Sequence, residues 1–396
     1  MRVAIVSNFY PPIQTGSCYW AQNLARAHVA AGDEVIVVTV GDNRELVEEQ
    51  EEGFTIYRLP AVFRLPRLDF FMKFDSFLLM NNRANRQRLH DLLLRHDIEI
   101  VHQSNHLLDC IFLVDAVCRR LDLPWLCTIH GAIRHSGSQL YSAVMRIVDR
   151  LYIRRTMERA DAIVSMDAEI ADYVASTYRA RRETTIPLAS MTTAFLEGLP
   201  RADPGHVPED GRFRVASVGH VTENRDRTDL VRAARIMRDA GVDVHFEIIG
   251  RLLTDRAPEL AKELRVEDCF TFHGELPRET MLELLVDVQA EAHLFFMPGL
   301  GNATLEAMAV GLPTMCFGYQ GIYGDVPLQD GENILFADLH RPETIATPLA
   351  RLATDPQARA RIGRNARELV ATHLTWDTVI LRYRSLYADL LAANAK

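Results

Sequence analysis

Short apolar runs alternate with longer polar–apolar segments along almost the whole chain. The runs are rich in β-branched side chains, which is the pattern of strands buried on both faces of a parallel sheet. In the first half these predicted strands are Val3–Val6, Val35–Thr39, Ile98–His102, Trp125–Ile129 and Ala162–Ser165. In the second half they are Phe213–Val218, Val244–Ile249, Cys269–His273, Leu294–Met297 and Thr314–Phe317.

The segments between the runs have helical periodicity, as in Tyr19–Ala31, Leu107–Leu121 and Leu140–Arg159. Strand–helix alternation of this kind predicts an α/β fold with helices on both faces of parallel sheets. The stretch Gly198–Arg212 is rich in proline, glycine and charge, so it is the best candidate for a linker. A chain of 396 residues exceeds what one hydrophobic core usually serves. We therefore expect two doubly wound domains, with ligand crevices at the carboxyl ends of both sheets.

One segment, Phe295–Cys316, combines several of these signals. Its sequence predicts a buried strand over Phe295–Met297, a turn with two glycines, and a helix that carries Glu306 and ends at Gly311. A glycine-containing loop before a helix presents unpaired N–H groups, which bind anions and hydroxyl-rich ligands. The segment is therefore the first candidate for a binding site.

Composition and charge exclude several classes of function. The formal net charge of -9 argues against nonspecific nucleic-acid binding, which needs a basic face. The six cysteines are scattered without a C-x-x-C spacing, so they are expected to be buried thiols of a reducing compartment. There is no P-loop, and no G-x-G-x-x-G follows the first strand, which argues against a plain dinucleotide-binding dehydrogenase. No signal peptide or run of about 20 apolar residues is present, so we expect a cytoplasmic protein, with peripheral contact at the inner face of the membrane left open.

Three further features have two interpretations each. His102 and His106 are four residues apart, but no carboxylate completes a ligand set, so a metal is not expected. The stretch Phe63–Met80 is interpreted as a core helix with a loop, and alternatively as a lipid-facing or acceptor-binding edge. Arg146, Arg150 and Arg154 recur every four residues as a basic stripe, and an ordinary salt-bridged helix face with Asp149 and Glu158 also explains them.

Motifs in order along nearly the whole chain resemble glycosyltransferase family four, a retaining family with the GT-B fold. They include NFYPPIQTGSCYWAQNLARAHVAAGDEVIVVT, TIHG, RADAIVS, SVGHVTENRDRTDLVRAA, FFMPGLGNATLEAMAVGLP and DGENILF. The resemblance implies two Rossmann-like domains facing a central cleft. The acceptor side is expected over 1–197 and the donor nucleotide-sugar side over 198–375. The helix 376–396 is expected to cross back onto the first domain.

The activity that the resemblance implies is transfer of a sugar from a nucleotide-sugar donor to an acceptor hydroxyl, by a same-face displacement that uses no metal and no other cofactor. A glycolipid, a saccharide and a small-molecule aglycone all stay open as acceptors. By the same resemblance, His130 in TIHG is the histidine near the reacting sugar and the predicted catalytic residue. Gly16 is the second of two glycines that approach the donor phosphates, and Thr15 replaces the first.

The family presents an arginine and a lysine to the donor diphosphate after the first strand of the second domain. Here His220 stands at the arginine position and Arg225 near the lysine position, with Arg227 as a competitor. A histidine carries full charge only if its pKa is raised, so the anion clamp is expected to be weakened or rebuilt.

Two glutamates separated by seven residues end the family's donor motif. The second is Glu306, which is expected to accept hydrogen bonds from the nucleotide ribose. The first is replaced by Pro298, which has neither a carboxylate nor an N–H. The remaining donor contacts are expected from the backbone of the loop and first helical turn, that is, from Gly299, Leu300, Gly301, Asn302 and Ala303.

Two alternatives remain beside the transferase. Pro298 and His220 also suit a catalytically impaired pseudo-transferase that acts as a binding or regulatory partner. A nucleotide-sugar epimerase of the same fold is the other alternative, and it would convert its donor without an acceptor.

Overall fold

The computed structural model describes residues 1–12, 16–68, 72–106, 109–131, 143, 146–203, 208, 210–295 and 298–394. The chain divides into two compact units. The first consists of Met1–Leu188 together with Trp376–Lys396, and the second of Ala189–Thr375. Along the chain the division falls after Leu188, because Met191 already pairs with Thr375 and the Leu196 carbonyl accepts from Arg367 at 2.7 Å within the second unit.

The first unit contains an eight-stranded sheet. In chain order its strands are β1 (Arg2–Ser7), β2 (Glu34–Gly41), β3 (Val47–Glu51), β4 (Phe54–Pro60), β7 (Ile100–Ser104), β8 (Trp125–Ile129), β9 (Ala162–Ser165) and β10 (Glu183–Thr185). They lie in the order β10-β9-β8-β7-β1-β2-β4-β3, with every pair parallel except β3 and β4. The described helices of this unit are Gly16–Ala30, Arg83–Arg95, Cys110–Leu121, Arg154–Met157, Ala168–Thr177 and Trp376–Asn394, and a π turn spans Asp149–Ile153.

The second unit contains a six-stranded parallel sheet. Its strands are β11 (Phe213–Val218), β12 (Val244–Ile249), β13 (Phe270–Gly274), β14 (Ala290–His293), β15 (Thr314–Phe317) and β16 (Leu335–Ala337), in the order β13-β12-β11-β14-β15-β16. The strand order reverses between β11 and β14, and doubly wound folds bind ligands at such a topological switch point. The helices are Thr193–Gly198, Thr228–Asp239, Arg256–Glu263, Arg278–Asp287, Asn302–Val310, Glu343–Thr354 and Pro356–His373, and 3-10 turns span Glu223–Arg225 and Glu267–Cys269.

The predicted α/β class with doubly wound parallel sheets is confirmed, and several strands begin and end at the predicted residues. The predicted strand Leu294–Met297 is wrong, because the strand is Ala290–His293 and residues 296–297 lie outside the described part of the chain. In the observed strand β14, the polar side chains of Glu291 and His293 interrupt the apolar pattern, although all four residues of the strand are buried.

The interpretation of Phe63–Met80 as a core helix is also wrong. Two antiparallel strands, β5 (Phe63–Leu68) and β6 (Met72–Leu79), form a separate two-stranded sheet there. The alternation of apolar and charged residues in FRL and MKFD has the period of two that extended strands require. The strands β3 and β4 were not predicted either.

The C-terminal helix Trp376–Asn394 packs into the first unit through buried hydroxyl groups. The Tyr387 hydroxyl lies 2.5 Å from Nδ1 of His102 and 3.2 Å from Nε2 of His28. The other ring nitrogens are 2.7 Å from Thr128 Oγ1 and 2.8 Å from Asp33 Oδ2, respectively. His102 is thus a satisfied core histidine. In the described part of the chain no helix is long and apolar enough to cross a membrane.

Candidate functional site

Three neighbouring strands of the second unit end at glycines, and these glycines bring the strand ends close together. The N–H of Gly250, after β12, donates to the carbonyl of Gly274 at 2.7 Å. Gly250 has a φ of 136°, and a Cβ there would lie 2.4 Å from the carbonyl oxygen of Gly219, which follows β11. Only glycine fits this position, so the loop after β11 is held tightly against its neighbours.

Two arginines of that loop converge on Gly219. Arg227, which is 4% exposed, donates from Nη2 to the Gly219 carbonyl at 3.1 Å and from Nη1 to the Arg225 carbonyl at 3.0 Å. The guanidinium of Arg225 lies 3.9 Å from the ring centroid of Phe295, a cation–π contact. Neither guanidinium has a carboxylate within ion-pair distance among the described residues. Burial lowers the pKa of both, that of Arg227 to about 10 with a further contribution from the charge of Arg225.

His220 does not provide the positive charge expected at its position. Its Nδ1 accepts a hydrogen bond from the backbone N–H of Arg251 at 3.1 Å. A ring nitrogen that accepts carries no proton, so the imidazole in this structure is neutral with its proton on Nε2. The cations at the end of β11 are therefore Arg225 and Arg227.

The helix Asn302–Val310 begins beside these arginines at the end of β14. Gly301 is its N-cap, and a Cβ at Gly301 would lie 3.0 Å from Cε1 of His293, so the cap must be small. The N–H groups of Asn302 and Ala303 belong to the first helical turn, where the helix itself supplies no acceptor. Asn302 is exposed and Ala303 is half-buried.

The turn before this helix is already bonded to the protein. Gly299 has a φ of 140°, and its N–H donates to the Phe317 carbonyl at 3.0 Å. The N–H of Leu300, which was expected to be available to a ligand, instead donates to the Tyr323 hydroxyl at 2.5 Å. Of the predicted set, the N–H groups of Gly299 and Leu300 are thus already bonded to the protein, whereas those of Asn302 and Ala303 lie at the open end of the helix.

Glu306 lies on the same helix and is 9% exposed. Its Oε1 accepts a hydrogen bond from Nε of Arg278 at 2.9 Å and a second, shorter one from Nη2. The guanidinium of Arg278 also lies 4.4 Å from the ring centroid of Phe195. Within the described part of the chain Oε2 accepts no hydrogen bond, so this oxygen has capacity for a ligand donor.

Beneath the arginines, β14 carries two buried polar side chains that the sequence did not reveal. Glu291 is 0% exposed and His293 is 7% exposed. Neither carboxylate oxygen of Glu291 nor Nδ1 of His293 makes a hydrogen bond of ordinary geometry with the described residues, although the backbone of Val218 interacts with both side chains. Burial raises the pKa of Glu291 well above its usual range, although Arg227 acts in the opposite direction, and burial lowers the pKa of His293 to about 3. The His293 ring is therefore neutral near pH 7, and burial favours the protonated, uncharged form of the Glu291 carboxyl beside the two arginines.

A histidine–carboxylate pair lies at the end of β13. Nε2 of His273 is 2.7 Å from Oε2 of Glu247, which is on the neighbouring strand β12 and 5% exposed. The pairing fixes the orientation of the imidazole.

In the first unit, His130 directly follows β8 and is half-buried. Its Nε2 lies 3.2 Å from Ser104 Oγ, and its ring meets Trp20 edge-on with 4.6 Å between centroids. Burial lowers the pKa of His130 to about 4, so the ring is neutral near pH 7. Gly16 is the first residue of the helix Gly16–Ala30, and Thr15 lies outside the described residues.

Two of the site's arginines were missed or ranked second by sequence reasoning. Nothing in the spacing connects Arg278 to Glu306, which is 28 residues away. Arg227 was only a competitor to Arg225. It adopts a left-handed backbone conformation, with a φ of 65°, directly before the helix Thr228–Asp239, and the charged loop sequence does not indicate this conformation. Across the described chain, no group of three or more His, Cys, Asp or Glu side chains is arranged to hold a metal ion.

Comparison with known proteins identifies both halves of the chain. Residues 16–188 match the profile described as "Glycosyltransferase Family 4", and residues 201–369 match "Glycosyl transferases group 1". A D-inositol 3-phosphate glycosyltransferase of Corynebacterium glutamicum is 25% identical over 58% of this chain and 52% of its own length. A glycogen synthase of Mycobacterium tuberculosis is 23% identical over 98% of this chain and 94% of its own. The chain spans about half the length of the inositol-phosphate relatives that it matches.

Solved structures give the same fold over the full length. A sucrose-phosphate synthase from Thermosynechococcus elongatus superposes with a TM-score of 0.72, at 19% identity and with 99% of both chains covered. Anabaena HepE in complex with UDP superposes with a TM-score of 0.70, at 11% identity, covering 98% of this chain and 100% of that one. The two profile matches together cover most of the chain and the superpositions show the fold, so the chain belongs to the family 4 glycosyltransferases with the GT-B fold.

Proposed function

We propose that the protein is a retaining glycosyltransferase that moves a sugar from a nucleotide-sugar donor to an acceptor hydroxyl without a metal ion. Family membership supports the reaction class. Anabaena HepE, which has the same fold, was solved with UDP and with UDP-glucose, and this supports a nucleotide sugar as the donor. A glycolipid, a saccharide and a small-molecule aglycone all fit the proposal as acceptors.

The observation that carries the proposal is the pair Arg225 and Arg227. Two guanidinium groups meet at one strand end, no carboxylate of the described residues lies within ion-pair distance of them, and burial raises the pKa of the nearby Glu291 carboxyl. Such an arrangement favours a bound anion, and guanidinium groups match phosphate oxygens in charge and geometry. In the proposed reaction the pair holds the donor diphosphate and stabilises its growing charge as the glycosidic bond breaks.

Glu306 is proposed to bind the ribose. Arg278 holds one carboxylate oxygen, which leaves Oε2 to accept from a ribose hydroxyl. The amides of Asn302 and Ala303 are proposed to bind phosphate or sugar oxygens at the helix N-terminus. Pro298 removes one polar contact to the sugar, so we expect a donor sugar that differs from the family's usual ones at that contact.

His130 is proposed to lie near the reacting carbon and to act as a neutral imidazole. A neutral ring donates from one nitrogen and accepts at the other, which suits an incoming hydroxyl better than a second cation would. The hydroxyl attacks on the face from which the diphosphate leaves, so no protein nucleophile is assigned. The rate enhancement would come from orientation of the two substrates and from stabilisation of leaving-group charge.

Titration calorimetry with UDP, GDP and dTDP, their sugars and the matching nucleosides tests the proposal. Arg227→Gln removes a phosphate contact, so it should weaken binding of the preferred nucleotide by about 1.5–3 kcal/mol and leave the nucleoside unchanged. Glu306→Ala should weaken nucleotide and nucleoside alike, because both contain the ribose. Arg364→Gln, an exposed change in the same unit, is the control. Absence of binding for every nucleotide and nucleotide sugar would refute the proposal.

The second candidate, a pseudo-transferase, is favoured by Pro298 and by the neutral His220. It predicts nucleotide binding without transfer to any acceptor and without slow hydrolysis of the donor. In that case the double variant Pro298→Glu with His220→Arg should gain donor hydrolysis. Turnover by the unchanged protein would exclude this candidate.

A further inference from the structure

The first unit exposes large apolar side chains on the helical segment that precedes β9. Ile147 and Leu151 are each 56% exposed and Tyr152 is 64% exposed. Single exposed apolar residues are common on protein surfaces, but three within six residues concentrate apolar surface on one short segment, which is typical of interaction sites.

Two of these residues, Leu151 and Tyr152, lie in the π turn over Asp149–Ile153. Asp149 and Ile153 are buried, while the three residues between them are exposed. The Asp149 carboxylate accepts hydrogen bonds from the hydroxyls of Tyr173 at 2.7 Å and Tyr178 at 2.6 Å. The inner face is thus fixed by a buried polar network, and π turns of this kind are frequent at functional sites.

The charge of the segment is opposite to that of the whole protein. Residues 146–157 contain four arginines and one aspartate, a formal charge of +3 in a chain of net charge -9. Arg150 and Arg155 are exposed, and in the described part of the chain neither has an ion-pair partner. Arg154, by contrast, is paired with Glu158 at 2.7 Å. Two uncompensated guanidinium groups therefore flank the apolar side chains. We call Ile147, Arg150, Leu151, Tyr152 and Arg155 the basic–apolar patch.

We propose that the basic–apolar patch binds the surface of an anionic lipid bilayer. Ile147, Leu151 and Tyr152 enter the headgroup region, where apolar side chains and the amphipathic tyrosine ring are stable, and the two arginines face lipid phosphates. A bilayer is favoured over a protein partner. A protein would have to place an acidic side chain opposite each unpaired arginine, whereas the phosphates of an anionic lipid surface neutralise both arginines in any orientation. The inference does not rest on the proposed donor or reaction.

Sedimentation of the full-length protein with vesicles tests this inference. We expect binding to vesicles of phosphatidylcholine mixed with phosphatidylglycerol, little binding to phosphatidylcholine alone, and a decrease as added salt screens the charges. Leu151→Glu should reduce binding about tenfold or more. Arg150→Gln together with Arg155→Gln should reduce it by roughly 25-fold, from about fivefold for each arginine near an anionic surface.

Matched controls separate the patch from general changes in polarity and charge. Leu381→Glu changes a leucine of the same unit that is 61% exposed, and Arg44→Gln with Arg364→Gln removes two exposed charges elsewhere. Both should bind vesicles like the unchanged protein. Equal binding to both kinds of vesicle, or unchanged binding of Leu151→Glu, would overturn the inference. So would a lipid-independent dimer in size-exclusion chromatography that Leu151→Glu dissociates, because the patch would then be a protein interface.

Discussion

At the scale of single residues, one hydrogen bond decides which side chains carry charge at the candidate donor site. The N–H of Arg251 donates to His220, so this imidazole is neutral and the positive charge lies on Arg225 and Arg227. The sequence positions alone suggested a clamp weakened by the loss of an arginine. The contacts instead bring the guanidinium groups of Arg225 and Arg227 together at this strand end, with Arg227 buried and bonded to the backbone.

Replacing Glu291 by glutamine should stabilise the protein at neutral pH. Burial raises the pKa of this carboxyl, so the folded state keeps a proton that the unfolded state releases above a pH of about 4.3. The folded state then binds more protons, and each pH unit above that value costs about 1.4 kcal/mol until the raised pKa is reached. Glutamine removes this cost without a change in shape.

Chemical denaturation at several pH values checks this expectation. The advantage of Glu291→Gln over the unchanged protein should be absent near pH 4 and grow as the pH rises. A variant that is less stable at pH 7 would mean that Glu291 is ionised and paired with Arg227. Glu259→Gln, an exposed change in the same unit, serves as the control.

At the scale of elements, the sequence predicts best where apolar runs coincide with strands. Trp125–Ile129 is entirely buried and apolar apart from Thr128, and its predicted and observed ends agree. β14 was misplaced because two of its four buried residues, Glu291 and His293, are polar. The apolar residues Leu294–Met297, which follow the strand, matched the pattern of a buried strand better than β14 itself. Glu306 was a candidate because a motif supplied it, whereas its contact with Arg278 joins distant segments and no local pattern indicates it.

The helices Asn302–Val310 and Pro356–His373 approach each other through two glycines. A Cβ at Gly363 would lie 1.9 Å from the carbonyl oxygen of Gly311. Alanine is favoured over glycine inside a helix by about 1 kcal/mol, but here it forces the two helices apart. We therefore expect Gly363→Ala to lower the free energy of unfolding by about 1–3 kcal/mol and to weaken nucleotide binding, because Glu306 moves with its helix.

Thermal unfolding with and without nucleotide measures both effects. Gly198→Ala is the matched control, because Gly198 also lies in a helix but has no atom within 4 Å of the added Cβ. Its stability should change by no more than about 0.5 kcal/mol. If the two variants behaved alike, helix propensity and not close packing would govern Gly363.

At the scale of the whole molecule, the last helix belongs to the unit in which the chain begins. Trp376–Asn394 contributes Tyr387, whose hydroxyl contacts both His28 and His102. These contacts join Tyr387 to His28 in the helix Gly16–Ala30 and to His102 on β7, which are 359 and 285 positions away along the chain. The interior of this unit is therefore incomplete without the end of the chain.

Removing the Tyr387 hydroxyl should weaken the first unit selectively. Tyr387→Phe leaves two buried imidazole nitrogens without their partner, at about 1–3 kcal/mol for each. Hydrogen exchange measured by mass spectrometry should accelerate in β1, β7 and β8 and stay unchanged in β11 and β12. Tyr19→Phe, at a site 45% exposed in the same unit, should have no effect. Uniform acceleration in both units would contradict a role confined to the first.

The same connectivity sets an order of events during synthesis. The second unit is continuous in sequence, from Ala189 to Thr375, so all of its strands leave the ribosome before the final helix does. The first unit begins earlier but must wait, with its buried histidines unpartnered, until Tyr387 emerges. The unit that begins first is thus completed last, and a nascent chain interrupted before residues 376–394 are made would carry a finished second unit attached to an unfinished first one.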